Sequence, residues 1–308
     1  MAAANPEDQV LRERRLGLAY GCAAYLIWGF FPIYLKAVAA APVLEVLSHR
    51  VVWAFLFVLG LSALTGQLAT ARAALANRKA LAVLTASTLL IAINWGVYIF
   101  SVVNGRMLES SLGYYINPLV NVLLGVVVLG ERLERPVRFA TALAALGVAS
   151  MAVSIGQLPW ISVTLAFSFG LYGLMRKLAP VGALSGLLVE TLLLLPFAAG
   201  FLLSRAVAGG GAFLHTGVTL DLLLILSGPL TAVPLLFFGA AARKLPLSTL
   251  GFLQYLSPTI QFLLAVLVYR EPFDTARLSA FVLIWAAIAV FAVHTARQGR
   301  AEPVIDAG

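Results

Sequence analysis

Glu45, His49 and Arg50 stand together in a stretch that is otherwise largely apolar. Residues four apart share a helical face, so Glu45 and His49 can pair, while Arg50 points elsewhere and must find its own partner or reach outward. An acid, an imidazole and a guanidinium in one place can orient a polar substrate or respond to protons at the mouth of a cavity; the same three residues can equally anchor a helix start at a membrane surface. Glu190, flanked by Leu187, Leu188, Val189, Thr191 and Leu192, has little local help. A carboxyl in such company is protonated in a structural hydrogen bond, faces water or meets a base, and it is a candidate for proton coupling or for gripping a cation. Amides and rings fall in further apolar stretches: Asn94, Trp95 and Tyr98; Asn117 and Asn121; Gln254, Tyr255 and Gln261. They are candidate substrate-binding residues, or else ties between helices worth about 0.6 kcal/mol each on average. Trp28, Tyr34, Trp95 and Tyr98 could line an aromatic pocket or face lipid. Pro118 and Pro258 each remove a helical hydrogen bond, which makes them candidate hinges or static kinks.

Other chemistries lack their residues. The single cysteine, Cys22, excludes an intramolecular disulfide and a cysteine-based metal site, and His49, His215 and His294 are far apart. No P-loop, Gly-x-Ser-x-Gly elbow, His-Glu-x-x-His pair or Asp-rich metal motif occurs, so no cofactor, no metal and no catalytic group is expected. The net charge of +8 is spread over loops with no basic stripe among aromatics, which excludes a nucleic-acid partner.

The elements that must position these side chains follow from composition. Hydrophobic residues are 61% of the 308, and charged residues only 11%, against about a quarter in soluble domains. The chain therefore reads as an all-α membrane protein. Uncharged runs at 16–35, 51–71, 80–105, 110–130, 139–175, 222–242 and 245–269 are long enough to cross a hydrocarbon core, the 139–175 run twice, divided by a turn at 156–159. With 185–204 and 276–295 the count is ten transmembrane helices. A β-barrel is excluded, because its strands would alternate apolar and polar over about 10 residues. Fifteen of the 21 Lys and Arg fall on the side of the N-terminus, which places both termini in the cytoplasm.

The second half also repeats the first. Pro118-Leu119-Val120-Asn121, with Glu131 following, matches Pro258-Thr259-Ile260-Gln261, with Glu271 following, at an offset of 140. Ser110-Ser111-Leu112-Gly113 matches Ser248-Thr249-Leu250-Gly251 at 138, so two residues are inserted between the blocks. Glu131 and Glu271, beside Arg132 and Arg270, read as helix-end anchors. Five spans per half force the halves to enter from opposite sides: two inverted five-helix repeats, 16–155 and 156–295, between polar tails 1–15 and 296–308. Such an architecture carries its substrate site near the midplane, between the halves. The segment 205–220, with three consecutive glycines, looks flexible, and 65–79 could hold a short surface helix.

The local sequences also resemble a known family. Tyr25-Leu26-Ile27-Trp28-Gly29, His49-Arg50 followed by Trp53, Asn94-Trp95, Leu112-Gly113-Tyr114-Tyr115-Ile116-Asn117-Pro118, Leu129-Gly130-Glu131-Arg132 and Ser248-Thr249-Leu250-Gly251-Phe252-Leu253-Gln254-Tyr255 are similar to the RarD-type permeases, of the EamA-domain branch of the drug/metabolite transporter superfamily. The likeness covers nearly the whole membrane region in order. It implies a ten-helix carrier of the bacterial inner membrane that moves a small organic metabolite or drug by alternating access, active or facilitative, with its fifth and tenth spans peripheral. Export is the direction implied by the family's link to chloramphenicol sensitivity. The expected partners are a small-molecule substrate and membrane lipids, for a monomer or homodimer; the alternatives are a membrane-embedded enzyme or a channel or sensor.

Overall fold

An unpaired backbone group in hydrocarbon costs several kcal/mol, so a chain this apolar must satisfy its peptide groups within each segment. The computed structural model does so with helices alone among the described residues, which are 6–104, 107–155, 160–268 and 275–298. In chain order these are α1 (Pro6–Ala37), α2 (Val43–Leu64), α3 (Leu68–Ala76), α4 (Arg78–Val103), α5 (Met107–Val127), α6 (Arg135–Ile155), α7 (Trp160–Leu178), α8 (Ala183–Val207), α9 (Val218–Lys244), α10 (Leu247–Gln254), α11 (Leu256–Leu263) and α12 (Thr275–Gln298), with a π-helical turn at Leu264–Val268 after α11. Segments of α1, α2, α4, α8 and α9 are long and apolar enough to cross a membrane. Large side chains such as Leu56, Leu89, Phe139 and Phe197 are exposed on the outside of the bundle, as a lipid solvent allows. The turn 156–159, Arg270 and Glu271 lie outside the described residues.

Helix boundaries are set by local chemistry. Pro42 and Pro246, both extended, precede α2 and α10, and the Asn77 side chain accepts the N–H groups of Lys79 and Ala80 at 3.0 and 3.1 Å to start α4. The apolar run at 51–71 does not form one helix. α2 starts at Val43 after Pro42 and ends at Leu64, where Gly66 takes a left-handed φ of 68° and the Gly66 and Gln67 N–H groups close on Ala63 O and Ser62 O, and 68–76 becomes the short α3. Glu45, His49 and Arg50 thereby fall within the first two turns of a long helix. Starts recur across the chain: α2 and α4 begin at 43 and 78, and α8 and α9 begin at 183 and 218, each 140 later.

The halves differ where the sequence does. α5 runs unbroken through Pro118. Its counterpart breaks between Gln254 and Leu256, inside the stretch from Gly251 to Pro258 that is two residues longer than the stretch from Gly113 to Pro118. Pro258 therefore sits in the first turn of α11, where a missing N–H costs least.

The helices pack as a bundle with two distinguishable ends, in which α1 and α9 run antiparallel and α5 and α7 run parallel. Glu13 near the start of α1 meets Lys244 at the end of α9, while Tyr34 near the end of α1 donates to the Leu223 carbonyl near the start of α9 at 3.2 Å. The end marked by Glu13 is the base, and the end marked by Tyr34 is the mouth. α6 and α12 pack on each other in a separate apolar cluster with Phe252 and Phe291, whose rings stack at 4.5 Å. α2 and α9 touch backbone to backbone: a methyl on Gly228 would lie 2.6 Å from the Trp53 carbonyl oxygen, the close approach that small residues permit between membrane helices.

Candidate functional site

Between the helices, nearer the mouth, lies a cavity of about 220 Å³. Its walls come from α1, α2, α4, α5, α7, α9, α10 and α11, so both halves of the sequence contribute. Rings make most of the surface: Tyr25, Trp28 and Phe31 from α1, Trp95 and Tyr98 from α4, Tyr114 from α5 and Phe169 from α7. They are braced from behind by Phe238, which packs on Tyr25, Trp28, Phe169 and Tyr172 with centroids 5.3 to 6.3 Å apart. Amides enter from Asn94, Gln254 and Gln261. Among the described residues lining it, Arg50 carries the only charge. Its Nε donates to Thr231 Oγ1 at 2.9 Å, and its guanidinium carbon lies 5.0 Å from the Phe31 ring centre and 5.3 Å from that of Trp95.

The candidate residues read from sequence separate into three groups. Asn94, Trp95, Tyr98, Gln254, Gln261, Arg50 and Pro258 lie on the cavity wall. Several are also tied to the scaffold. Asn94 donates to Leu165 O and Ser168 Oγ, both at 3.0 Å, and Gln261 donates to the Trp28 carbonyl at 3.1 Å. Asn117, Asn121 and Tyr255 lie off the wall. Asn117 donates to Ala166 O at 2.6 Å, Asn121 to Gln254 Oε1 at 3.1 Å, and Tyr255 to Tyr115 O at 3.4 Å. Asn121 thus orients an amide that does face the cavity. Pro118 is off the wall too. The carbonyl that Pro118 deprives of an intrahelical donor belongs to Tyr114, four residues earlier and on the wall, whereas Pro258 follows the break between α10 and α11.

Glu45 and His49 form the second group, buried beside the mouth rather than in it. No hydrogen bond joins them among the described residues. Glu45 Oε1 accepts from Ala212 N at 2.6 Å and Phe213 N at 3.1 Å, and His49 Nδ1 accepts from Trp53 Nε1 at 3.1 Å while its ring packs on Phe213. The glycine-rich connection after α8 is therefore pinned, where the sequence alone reads as flexible: its free peptide N–H groups find a carboxylate from α2. The third group is Glu190, which lines only a small hollow behind Trp95 and Thr231. It accepts from Ser87 Oγ at 2.5 Å, Arg176 Nη1 at 3.2 Å and Tyr172 OH at 3.4 Å.

A known family matches this sequence. The model of the EamA-like transporter family matches residues 15–153. An uncharacterised transporter of Pseudomonas aeruginosa is 48% identical over 290 residues, spanning 94% of this chain and 97% of the relative. The protein RarD of Escherichia coli is 43% identical over 290 residues, 93% of this chain and 98% of that one. This chain is a RarD-type member of the EamA-like transporter family. A second Pseudomonas aeruginosa relative, named chloramphenicol-sensitive protein RarD, is 32% identical over 91% of this chain and 95% of its own length. A solved crystal structure, 18% identical, superposes with a TM-score of 0.67 over 90% of this chain and 98% of that one, a likeness of fold.

In this RarD-type permease the helix ends at the base are tied together by polar contacts. Glu131 accepts from Leu247 N, Ser248 N and Ser248 Oγ at 2.5, 3.0 and 2.6 Å, capping α10 from the end of another helix. It serves a helix end, as its position in the sequence implies, and the helix is a neighbour's. Lys177 donates to Leu245 O at 2.5 Å and Ala242 O at 3.2 Å, and Arg243 to Ala179 O at 2.9 Å and Val181 O at 2.5 Å. These cations lie at the C-terminal ends of α7 and α9, where helix carbonyls lack partners. Arg176, Thr231 and Tyr114 escaped the sequence reading. The run Arg176-Lys177 is a visible signal for the first and the motif Gly113-Tyr114-Tyr115 for the third, whereas a lone threonine in an apolar helix carries none.

Proposed function

We propose that this permease carries a small organic solute across the bacterial inner membrane by alternating access, with the central cavity as the binding site. The observation that carries the reading is the cavity itself: aromatic and amide-lined, built from both halves and lying toward the mouth, with the helix ends at the base tied together by polar contacts. This is the form of a carrier accessible from one side. The helix starts that recur at an interval of 140 support two five-helix repeats, 16–155 and 156–295, inverted relative to each other and together making ten spans, with α3 on the surface and α10, α11 and the π-helical turn forming one broken span. On this reading α6 and α12 are the fifth and tenth spans, and their mutual packing keeps them off the cavity wall. The base is the cytoplasmic end, because it gathers the Lys and Arg. Substrate binds against Asn94, Trp95, Tyr98, Gln254 and Gln261. Asn117, Asn121 and Tyr255 hold the helices that present these groups, and Glu45 and His49 hold the mouth. Passage to the other side requires the ties of Glu131, Lys177 and Arg243 to break while the walls near Pro118 and Pro258 close. Export is the direction we propose, on the family resemblance alone.

Reconstitution in proteoliposomes tests this reading. Saturable, counterflow-competent flux of organic solutes is expected; a conductance without saturation, or no flux for any solute from folded protein, overturns it. Single cysteines in a Cys22→Ser background test the topology. Positions 66 and 299 should label from the cytoplasm, and position 209 from the opposite side.

A further inference from the structure

Arg50 presents a cation to the cavity with no anion to answer it. A guanidinium at membrane depth is costly unless it is paired or wetted. Among the described residues no carboxylate forms an ion pair with Arg50, and its two terminal nitrogens make no hydrogen bond to protein. Its Nε is taken by Thr231, and the Phe31 and Trp95 rings hold the plane of the group. What remains is the terminal fork of the guanidinium on a cavity wall, the shape that receives a carboxylate through two parallel bonds. The hydroxyl of Tyr25, also a wall residue, is buried with no partner among the described residues.

We propose that Arg50 is the anchor for the negative charge of the solute, and that the cavity takes small organic monoanions: a carboxylate on an aromatic or apolar body. This rests on the carrier reading for its transport meaning, and on Arg50 and the cavity for its chemistry. The charge count sets the valence. No second cation lines the wall among the described residues, so a dianionic phosphate would keep one charge uncompensated, and no carboxylate lines it to receive an ammonium. The body is set by the rings of Trp28, Trp95, Tyr98 and Phe169, and the size by the cavity of about 220 Å³.

The test uses the purified full chain and matched probes: benzoate, phenylacetate, indole-3-acetate and hexanoate, each against its own amide, with phenethylamine and phenyl phosphate as charge controls. At least one carboxylate is expected to bind with a Kd about tenfold or more below that of its amide, as a charge-assisted pair implies, and more tightly than either control. Arg50→Gln brings that ratio to about one, and Arg50→Lys, which keeps the charge without the fork, retains part of it. No carboxylate binding better than its amide, whether both bind or neither does, overturns the proposal, as does a ratio that survives in folded Arg50→Gln. The wild-type comparison stands even where a variant fails to fold. The same probes in proteoliposomes separate this proposal from the carrier reading. Carboxylate-selective binding without flux keeps the anion site and removes the carrier. Saturable flux of an amide or amine, without carboxylate preference, keeps the carrier and removes the anion site.

Discussion

Arg50 and Glu190 are each the eighth residue of their helices, α2 and α8, 140 positions apart. One is a base and the other an acid, and their surroundings differ accordingly. Around Glu190 three donors converge, Arg176 among them, and both members of the ion pair are almost wholly buried, at 1% and 3% side-chain exposure. Around Arg50 there are a hydroxyl and two ring faces. Two helices whose starts lie 140 positions apart thus each carry a charge at the eighth residue, one ringed by donors toward the base, where Arg176 Nε alone of the cluster is left without a partner among the described residues, the other half satisfied beside the cavity. The denser cluster holds helices together, and the sparser one can hold something that comes and goes.

The contrast is broken most directly by removing each arginine. Arg176→Ala strands Glu190 in a buried site and is expected to cost about 3–5 kcal/mol, read as a large fall in the apparent melting temperature or as loss of folded protein. Arg50→Ala loses one hydrogen bond and two ring contacts and is expected to cost only about 1–2 kcal/mol. Equal losses would erase the distinction. Next comes Gly186→Ala, whose new methyl falls on the Arg176 guanidinium. Overpacking of this kind costs about 1–3 kcal/mol, and the unfolding midpoint should drop without a change in probe selectivity. Glu131→Ala removes the cap of α10, worth about 1–2 kcal/mol. It should also raise several-fold the maleimide reactivity of a cysteine placed at the buried position 242 in a Cys22→Ser background, because the base loosens. The smallest effect is expected from Thr231→Val, which frees Arg50 from its hydroxyl at about 0.5–1.5 kcal/mol. A few-fold weaker carboxylate affinity, with a fall in stability no larger than that, would sharpen the contrast.

How far these clusters could be read in advance depends on what apolar sequence conveys. Where helices run is visible in the spacing of charges and prolines, and the shift of α2 to Val43 follows from Pro42. Which face of a helix meets the cavity is much harder to see, since lipid and protein interior select the same side chains. Tyr114, Asn117 and Asn121 share a face of α5, yet the two asparagines bind the Ala166 carbonyl and Gln254 whereas Tyr114 lines the cavity, so depth along the helix and not its face separates them. The partner of Glu190 lies 14 residues earlier across the turn between α7 and α8, beyond the range of any helical spacing rule. The ligands of Glu45 are peptide N–H groups of a connection, which every residue but proline owns and no side chain announces.

The seam between α2 and α9 sets the terms of any motion. Gly228 and Thr231 are three apart on α9 and meet Trp53 and Arg50, three apart on α2. The guanidinium therefore sits one turn from a place where two backbones abut with no room to slide. In the carrier proposed here α2 and α9 swing as a single strut, carrying Arg50 with them, so that a solute held there would see its anchor travel while the walls around it change.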